Sequence, residues 1–275
     1  MRSADVISVV MAAGRGSRMN AFDGNKTLLP LVPEKGRFEG REPILVHVLR
    51  SLPEGEKAVI VHHRAEEVMD ATRAFAPTYC RQPELNGTGG ALLAVREFLA
   101  SKTCDRLLIT MGDVPFVRPE TYAKLVGTLD THHMAALGFQ PADKKQYGVL
   151  ETDGDRVLKI TEWKYWRDYP AEKQAALGVC NAGIYAARRE VLVRYLSVLE
   201  SRPQTVQKER NGKMTAIREY FLTDIVEYMN ADGLSVGCVL VRDEMETLGV
   251  DDPQALEKAQ AYYRRHCLEA AGVRP

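Results

Sequence analysis

Nine consecutive residues, Met11-Ala12-Ala13-Gly14-Arg15-Gly16-Ser17-Arg18-Met19, combine small side chains with two arginines, and Lys26 follows soon after. Two glycines without a Cβ let a backbone turn sharply and bring its N–H groups up to phosphate oxygens. Arg15, Arg18 and Lys26 add positive charge, so the chemistry indicated is that of a nucleoside triphosphate. The segment is neither of the two common phosphate loops. The third glycine of G-x-G-x-x-G is Met19 here, too large for close strand–helix packing, and no G-x-x-x-x-G-K-[ST] occurs. A plain turn after a first strand is the alternative for G-x-G alone; the arginines, the lysine and Ala12-Ala13 weigh against it.

Other candidates are spread along the chain. Met111-Gly112-Asp113 ends an apolar run, where a carboxylate can hold Mg²⁺ against phosphates or cap the helix after Pro115. Gln82-Pro-Glu-Leu-Asn-Gly87-Thr88-Gly89-Gly90 offers amides and a hydroxyl to a base edge, or a helix entrance with Thr88 as cap. Tyr147-Gly148, Glu162-Trp-Lys164 and Asn181-Ala-Gly183 are polar or flexible points able to hydrogen-bond a sugar; singly, each also reads as a turn or surface residue. Asp251 or Asp252 could give a second metal ligand, although Asp-Asp-Pro is also a common helix start. The pairs His62-His63 and His132-His133 cannot chelate from one surface if they lie on strands, because neighbours point to opposite faces.

These residues need a scaffold. Strands are expected at 5–11, 58–61, 78–80 and 107–110, with helices at 44–52, 65–75, 89–100 and 118–128. That alternation predicts a Rossmann-like, mixed but mostly parallel α/β sheet flanked by helices, with ligands outside the carboxyl ends of its strands. Shorter strands follow at 134–139, 147–151 and 156–161, with a hairpin turn at Asp153-Gly154-Asp155. A strand at 178–186 and helix at 188–200 lead to 202–218, read as an exposed polar loop containing Asn211-Gly212. Helix 220–230, strand 234–241 and helix 253–269 close the chain, and 32–43 reads as a solvated excursion. The expected organisation is one domain over 1–275: a half with the phosphate-loop candidates, 1–130, and a β-rich half with the candidate sugar-contacting points and closing helices, 131–275.

Composition narrows the classes. Charge balances at 37 basic and 37 acidic residues, so no electrostatic footprint for nucleic acid exists. Five scattered cysteines lack C-x-x-C spacing, which argues against a disulfide framework or zinc ribbon and suits a reducing cytoplasm. No apolar run approaches membrane-spanning length, so a cytoplasmic protein without membrane partners is expected.

Taken in order, the motifs resemble the sugar-1-phosphate nucleotidyltransferases, most closely the uridylyltransferase domain of the N-acetylglucosamine-1-phosphate uridylyltransferases. The L-A-A-G-x-G-[ST]-R-M loop of that family is matched by Met11 to Met19, with Lys26 as the following lysine. Its Q-x-E-x-x-G-T segment is matched by Gln82, Glu84, Gly87 and Thr88, and its G-D-x-P by Gly112, Asp113 and Pro115. Its Y-G, E-x-K, N-x-G and Y-[IF]-[TL]-T-D-I segments match Tyr147-Gly148, Glu162 with Lys164, Asn181 with Gly183, and Tyr220 to Ile225. The resemblance implies transfer of a nucleotidyl group, with UTP and N-acetylglucosamine 1-phosphate as expected substrates and Mg²⁺ as cofactor. Arg18 and Lys26 are then catalytic, and Asp113 and Asp251 hold the metal. The nucleotide is bound by Ala12, Ala13, Gly14, Arg15, Gly16, Ser17, Gln82, Gly87, Thr88 and Gly112, and the sugar by Gly148, Glu162, Asn181 and Gly183. Two departures stand out: the family's usual asparagine is Asp251 here, and 32–43 has no obvious counterpart. The hexapeptide pattern of a left-handed β-helix is absent, so acetyl transfer is not expected. The resemblance leaves open another base or sugar, a nucleotide-sugar-binding protein without turnover, and the oligomeric state.

Overall fold

The computed structural model of the protein describes residues 6–16, 18, 19, 22–210 and 213–268. The first apolar run forms β1 (Val6–Met11), followed by a short ribbon of β2 (Pro30–Pro33) and β3 (Gly40–Pro43). Then come α1 (Ile44–Ser51), β4 (Lys57–Val61), α2 (Ala65–Thr72), β5 (Thr78–Arg81), α3 (Thr88–Leu93) and α4 (Arg96–Ala100). β6 (Arg106–Met111), α5 (Pro119–Gly127) and β7 (Met134–Phe139) continue the alternation into the hairpin of β8 (Val149–Asp153) and β9 (Arg156–Thr161). Two short helices, α6 (Trp163–Trp166) and α7 (Ala171–Ala176), precede β10 (Cys180–Arg188) and α8 (Arg189–Ser201). The remaining elements are β11 (Gln204–Arg210), β12 (Lys213–Glu219), α9 (Asp224–Ala231), β13 (Val236–Val241) and α10 (Pro253–Tyr263).

Nine strands share one sheet in the order β5-β4-β1-β6-β10-β7-β13-β9-β8. β10 and β9 run against the other seven, so the sheet is mixed and mostly parallel, as the strand–helix alternation implies. β8 also touches β10 at Cys180 and Val149, which folds the hairpin edge back over the sheet. Both faces are covered. Val10 and Ala12 enter one apolar cluster with Leu45 and Leu49, while Ile7, Val9 and Met11 enter the other with Leu92 and Leu196. A strand buried on both sides reads as a continuous apolar run, which explains the Val-Ile-Ser-Val-Val sequence of β1.

Three expectations need correction. Segment 202–218 is not a loop: β11 and β12 pair antiparallel from Gln204–Glu219 to Arg210–Lys213. A two-stranded ribbon pairs the inward half of its backbone groups between its strands and leaves the outer half to water, so it needs no apolar face, and a polar composition does not exclude it. Asn211 and Gly212 lie outside the described residues. The 32–43 excursion is exposed at its tip, but its base is the β2–β3 ribbon, paired at Pro30–Pro43, Val32–Arg41 and Pro33–Gly40. The helix expected at 89–100 breaks between α3 and α4, where Ala94 and Val95 donate to carbonyls three residues back. Elsewhere the differences are shorter: α2 ends at Thr72 and passes into a 3₁₀ turn, and α6 and α7 were not foreseen.

Candidate active site

Beyond β1 the chain turns through a cleft of about 540 Å³. Ala13, Gly14, Arg15, Gly16, Lys26 and Thr27 line one side of it. Gly16 takes φ +63°, and a Cβ there would come within 3.0 Å of the Lys26 side chain, so the loop lies directly on the lysine stem. Ala12 is not on the cleft; it is fully buried, its N–H donating to Ile60 O at 3.0 Å. Ser17 lies outside the described residues.

Three segments distant in sequence meet around Lys26, which with Asp113 lines the cleft, while Asp251 and Arg18 border a neighbouring cavity of about 420 Å³ beside Tyr147. Lys26 Nζ pairs with both Asp113, just past β6, and Asp251, just before α10. The loops carrying those aspartates are pinned together, Val250 N–H donating to Asp113 O at 2.9 Å. Arg18 approaches Asp251 at 3.7 Å with its guanidinium largely exposed. Burial alone would push the Lys26 ammonium down, but Asp113 and Asp251 outweigh it and hold its pKa above the usual lysine value. Burial would likewise raise Asp251, but Lys26 and then Arg18 keep its carboxyl below the usual range. Asp252 takes the other reading: its Oδ1 accepts the Ala255 N–H at 2.8 Å and caps α10.

That convergence bears on Mg²⁺. Among the described residues no group of three or more potential metal ligands occurs. Mg²⁺, however, is commonly held by one or two carboxylates together with substrate phosphates. Asp113 and Asp251 already share one cation, the Lys26 ammonium, and both are hard oxygen donors. The residues fit the ion.

On the opposite side of the cleft, Gln82 is buried, and its side-chain nitrogen donates to Asn86 Oδ1 (3.1 Å) and Gly87 O (3.4 Å). Its side-chain oxygen takes no hydrogen bond from a described residue, leaving an acceptor for a ligand N–H. Gly87, not Thr88, occupies the cap position of α3, and Thr88 Oγ1 accepts the Leu222 N–H at 3.2 Å. This segment is therefore strapped to residues 220–222, with Gly89 N–H on Tyr220 O (2.8 Å) and Tyr220 N–H on Asn86 O (2.9 Å). Gly112 does not reach the cleft. Its N–H is spent on Met11 O at 2.9 Å, and Leu45 and Thr27 pack over its Cα.

The four expected sugar residues form one continuous track. Gly148 O accepts the Asn181 N–H at 2.8 Å, and Glu162 lies beside Gly148. Asn181 bridges to Gly183 N–H (3.1 Å) and to the Tyr185 hydroxyl (2.7 Å), across a bulge in β10. Gly183 abuts Met111, which lines the cleft. Burial raises the Glu162 carboxyl above its usual range, partly offset by the Thr223 hydroxyl donating to it at 3.1 Å. Glu162 and Thr223 face a second cavity of about 530 Å³, and Phe221 borders both.

Thr27, Met111 and Phe221 line the cleft although the sequence gives none of them a role of its own, being ordinary core or helix residues by type. Asn25 was missed too, although a cap-forming residue immediately before a lysine is a readable signal.

Residues 8–208 match the MobA-like NTP transferase domain. The chain belongs to that family. The bifunctional protein GlmU of Cereibacter sphaeroides is 35% identical over 268 residues, covering 96% of this chain and 53% of that protein. The chain thus spans about half the length of the curated relatives it matches. Among solved structures, the uridine diphosphate N-acetylglucosamine pyrophosphorylase of Trypanosoma brucei superposes with TM-score 0.70 at 12% identity, covering 98% of this chain and 68% of that one. CMP:2-keto-3-deoxy-manno-octonic acid synthetase, solved with CTP, gives TM-score 0.63 at 20% identity, covering 95% and 99%. Both solved structures share the fold of this chain. Among the described residues no helix is long and apolar enough to cross a membrane.

Proposed function

We propose that this member of the MobA-like NTP transferase family joins UTP to N-acetylglucosamine 1-phosphate, giving UDP-N-acetylglucosamine and pyrophosphate. The observation that carries the reading is the pairing of Lys26 with Asp113 and Asp251 beneath the glycine loop. An oxygen of the sugar phosphate attacks the α-phosphorus of the triphosphate, and the bond from that phosphorus to the bridging oxygen breaks, releasing pyrophosphate. The protein forms no covalent bond; its work is in-line positioning and neutralisation of charge. Gly14, Arg15 and Gly16 cradle the β- and γ-phosphates with Arg18, and Lys26 stabilises charge at the reacting phosphates. Gln82, Gly87 and Thr88 read the base, while Gly148, Glu162, Asn181 and Gly183 read the sugar. Asp113 and Asp251 would hold Mg²⁺, whose contribution when bound is to screen the phosphates and polarise the reacting P–O bond.

The choice of UTP and N-acetylglucosamine is supported by the motif order and by GlmU as a relative. The test is pyrophosphate release with Mg²⁺ across four nucleoside triphosphates and a panel of sugar 1-phosphates. Turnover confined to UTP with N-acetylglucosamine 1-phosphate is the expected result. Selective turnover of another pair reassigns the substrates. Binding of UDP-N-acetylglucosamine without any turnover refutes the enzymatic reading.

A further inference from the structure

Asn25 is fully buried, and its side chain uses all four of its hydrogen-bonding positions. The amide nitrogen donates to Ala12 O at 2.9 Å and to His63 O at 2.9 Å. The amide oxygen accepts Thr27 N–H at 3.0 Å and the Thr27 hydroxyl at 2.8 Å. One side chain thus ties together the base of the glycine loop, the exit of β4 and the 3₁₀ turn Lys26–Leu28, of which Asn25 is the cap. Thr27 is itself 2% exposed, so the backbone on both sides of Lys26 is fixed. Only the lysine side chain extends from this anchor, along Gly16 and toward the two aspartates.

We infer that Asn25 is a positioning residue for Lys26: it sets the distance between the lysine's Cα and the glycine loop, so that the ammonium meets the reacting phosphates without reorganisation. The inference rests on the nucleotidyl-transfer reading. Being fully buried, Asn25 offers no surface to a substrate, so any effect on chemistry passes through its neighbours. Displacing a reacting group by about 1 Å costs on the order of 100-fold in rate. A residue holding only the fold would lower stability and leave the chemistry of the folded fraction unchanged.

The test is a double-mutant cycle with Asn25→Ala and Lys26→Ala, following kcat, both KM values and melting temperature. Asn25→Ala is expected to lower kcat by about 10- to 100-fold, with both KM values within about threefold. In the Lys26→Ala background the same change should alter kcat by less than about twofold, because there is no lysine left to place. Equal losses in both backgrounds, or an effect confined to KM or melting temperature, overturn the inference. Should Asn25→Ala fail to fold, Asn25→Ser, whose hydroxyl can still cap Thr27 N–H, takes its place in the cycle. A wild-type protein without turnover refutes the function reading separately. The positioning role is then judged from the variant's crystal structure: separation of Lys26 from Asp113 supports it, and an unchanged pair overturns it.

Discussion

Alanine at Gly87 and alanine at Gly14 should do opposite things, because one glycine is required by the fold and the other leaves room for a ligand. Gly87 has φ +96° and ψ 174°, a region essentially closed to residues with a Cβ, which costs about 1–3 kcal/mol. A Cβ there would also lie 2.4 Å from Tyr220 O, on a segment already strapped to Gly89 and Asn86. Such overpacking costs about 1–3 kcal/mol more, for a total of about 2–6 kcal/mol. For a chain of this length each kcal/mol moves the melting temperature by roughly 2 °C, so Gly87→Ala should melt about 4–12 °C lower. Residue 221 follows Tyr220 and borders both cavities, so KM should rise for nucleotide and sugar phosphate together. At Gly14 a Cβ meets nothing within 4 Å. Gly14→Ala should therefore hold its melting temperature to within about 2 °C, or gain slightly from the less flexible unfolded chain. Its KM should rise for the nucleotide alone, since the methyl group occupies space facing the cleft. Thermal melts and pyrophosphate release on both variants decide the matter. A Gly87→Ala protein melting with the wild type, or a Gly14→Ala protein losing as much as Gly87→Ala, would refute the reasoning.

Three other outcomes follow from the same geometry. Asp113→Ala should lose turnover by several kcal/mol of transition-state stabilisation while staying folded, because Lys26 keeps Asp251 as a partner; near-normal pyrophosphate release removes Asp113 from the metal-holding role. Asp251→Asn, which restores the asparagine usual in the resembled family, should raise half-saturating Mg²⁺ on the order of tenfold by removing a ligand charge, and a titration with unchanged Mg²⁺ dependence excludes that role for Asp251. Glu162→Gln should raise the KM for sugar phosphate yet stabilise the fold at neutral pH. Burial lifts the folded carboxyl above its ordinary value of 4.5, so in that window the folded state holds a proton the unfolded chain has released, and rising pH favours unfolding. The stability gain of Glu162→Gln should accordingly be small near pH 4 and larger near pH 7; a pH-independent difference in melting temperature contradicts the burial argument.

What could be read in advance divides along physical lines. The sheet was legible because strands buried on both faces must be apolar throughout, and Val6–Met11, Lys57–Val61 and Arg106–Met111 carry that mark. The glycine loop and Asp113 were legible for a related reason: each lies just past the carboxyl end of such a strand, so locating the strand locates the residue. Asp251 was half legible. Residue type alone does not separate it from its neighbour Asp252, an equally good helix cap; the resemblance points to Asp251, and the fold pairs Asp251 with Lys26 and leaves Asp252 as the cap. The β11–β12 ribbon was misread because its strands pair with each other and bury little, so they carry no apolar alternation to announce them. Gly112 shows a further ambiguity of motif reading: beside a functional aspartate it reads as a nucleotide contact, while in the fold it lets β6 pass close to Met11 and Leu45. Motif position alone does not separate a backbone that must approach a ligand from one that must approach another strand. The separation comes from what a Cβ would strike: at Gly112 it meets Met11 O at 3.0 Å, and at Gly14 only open space.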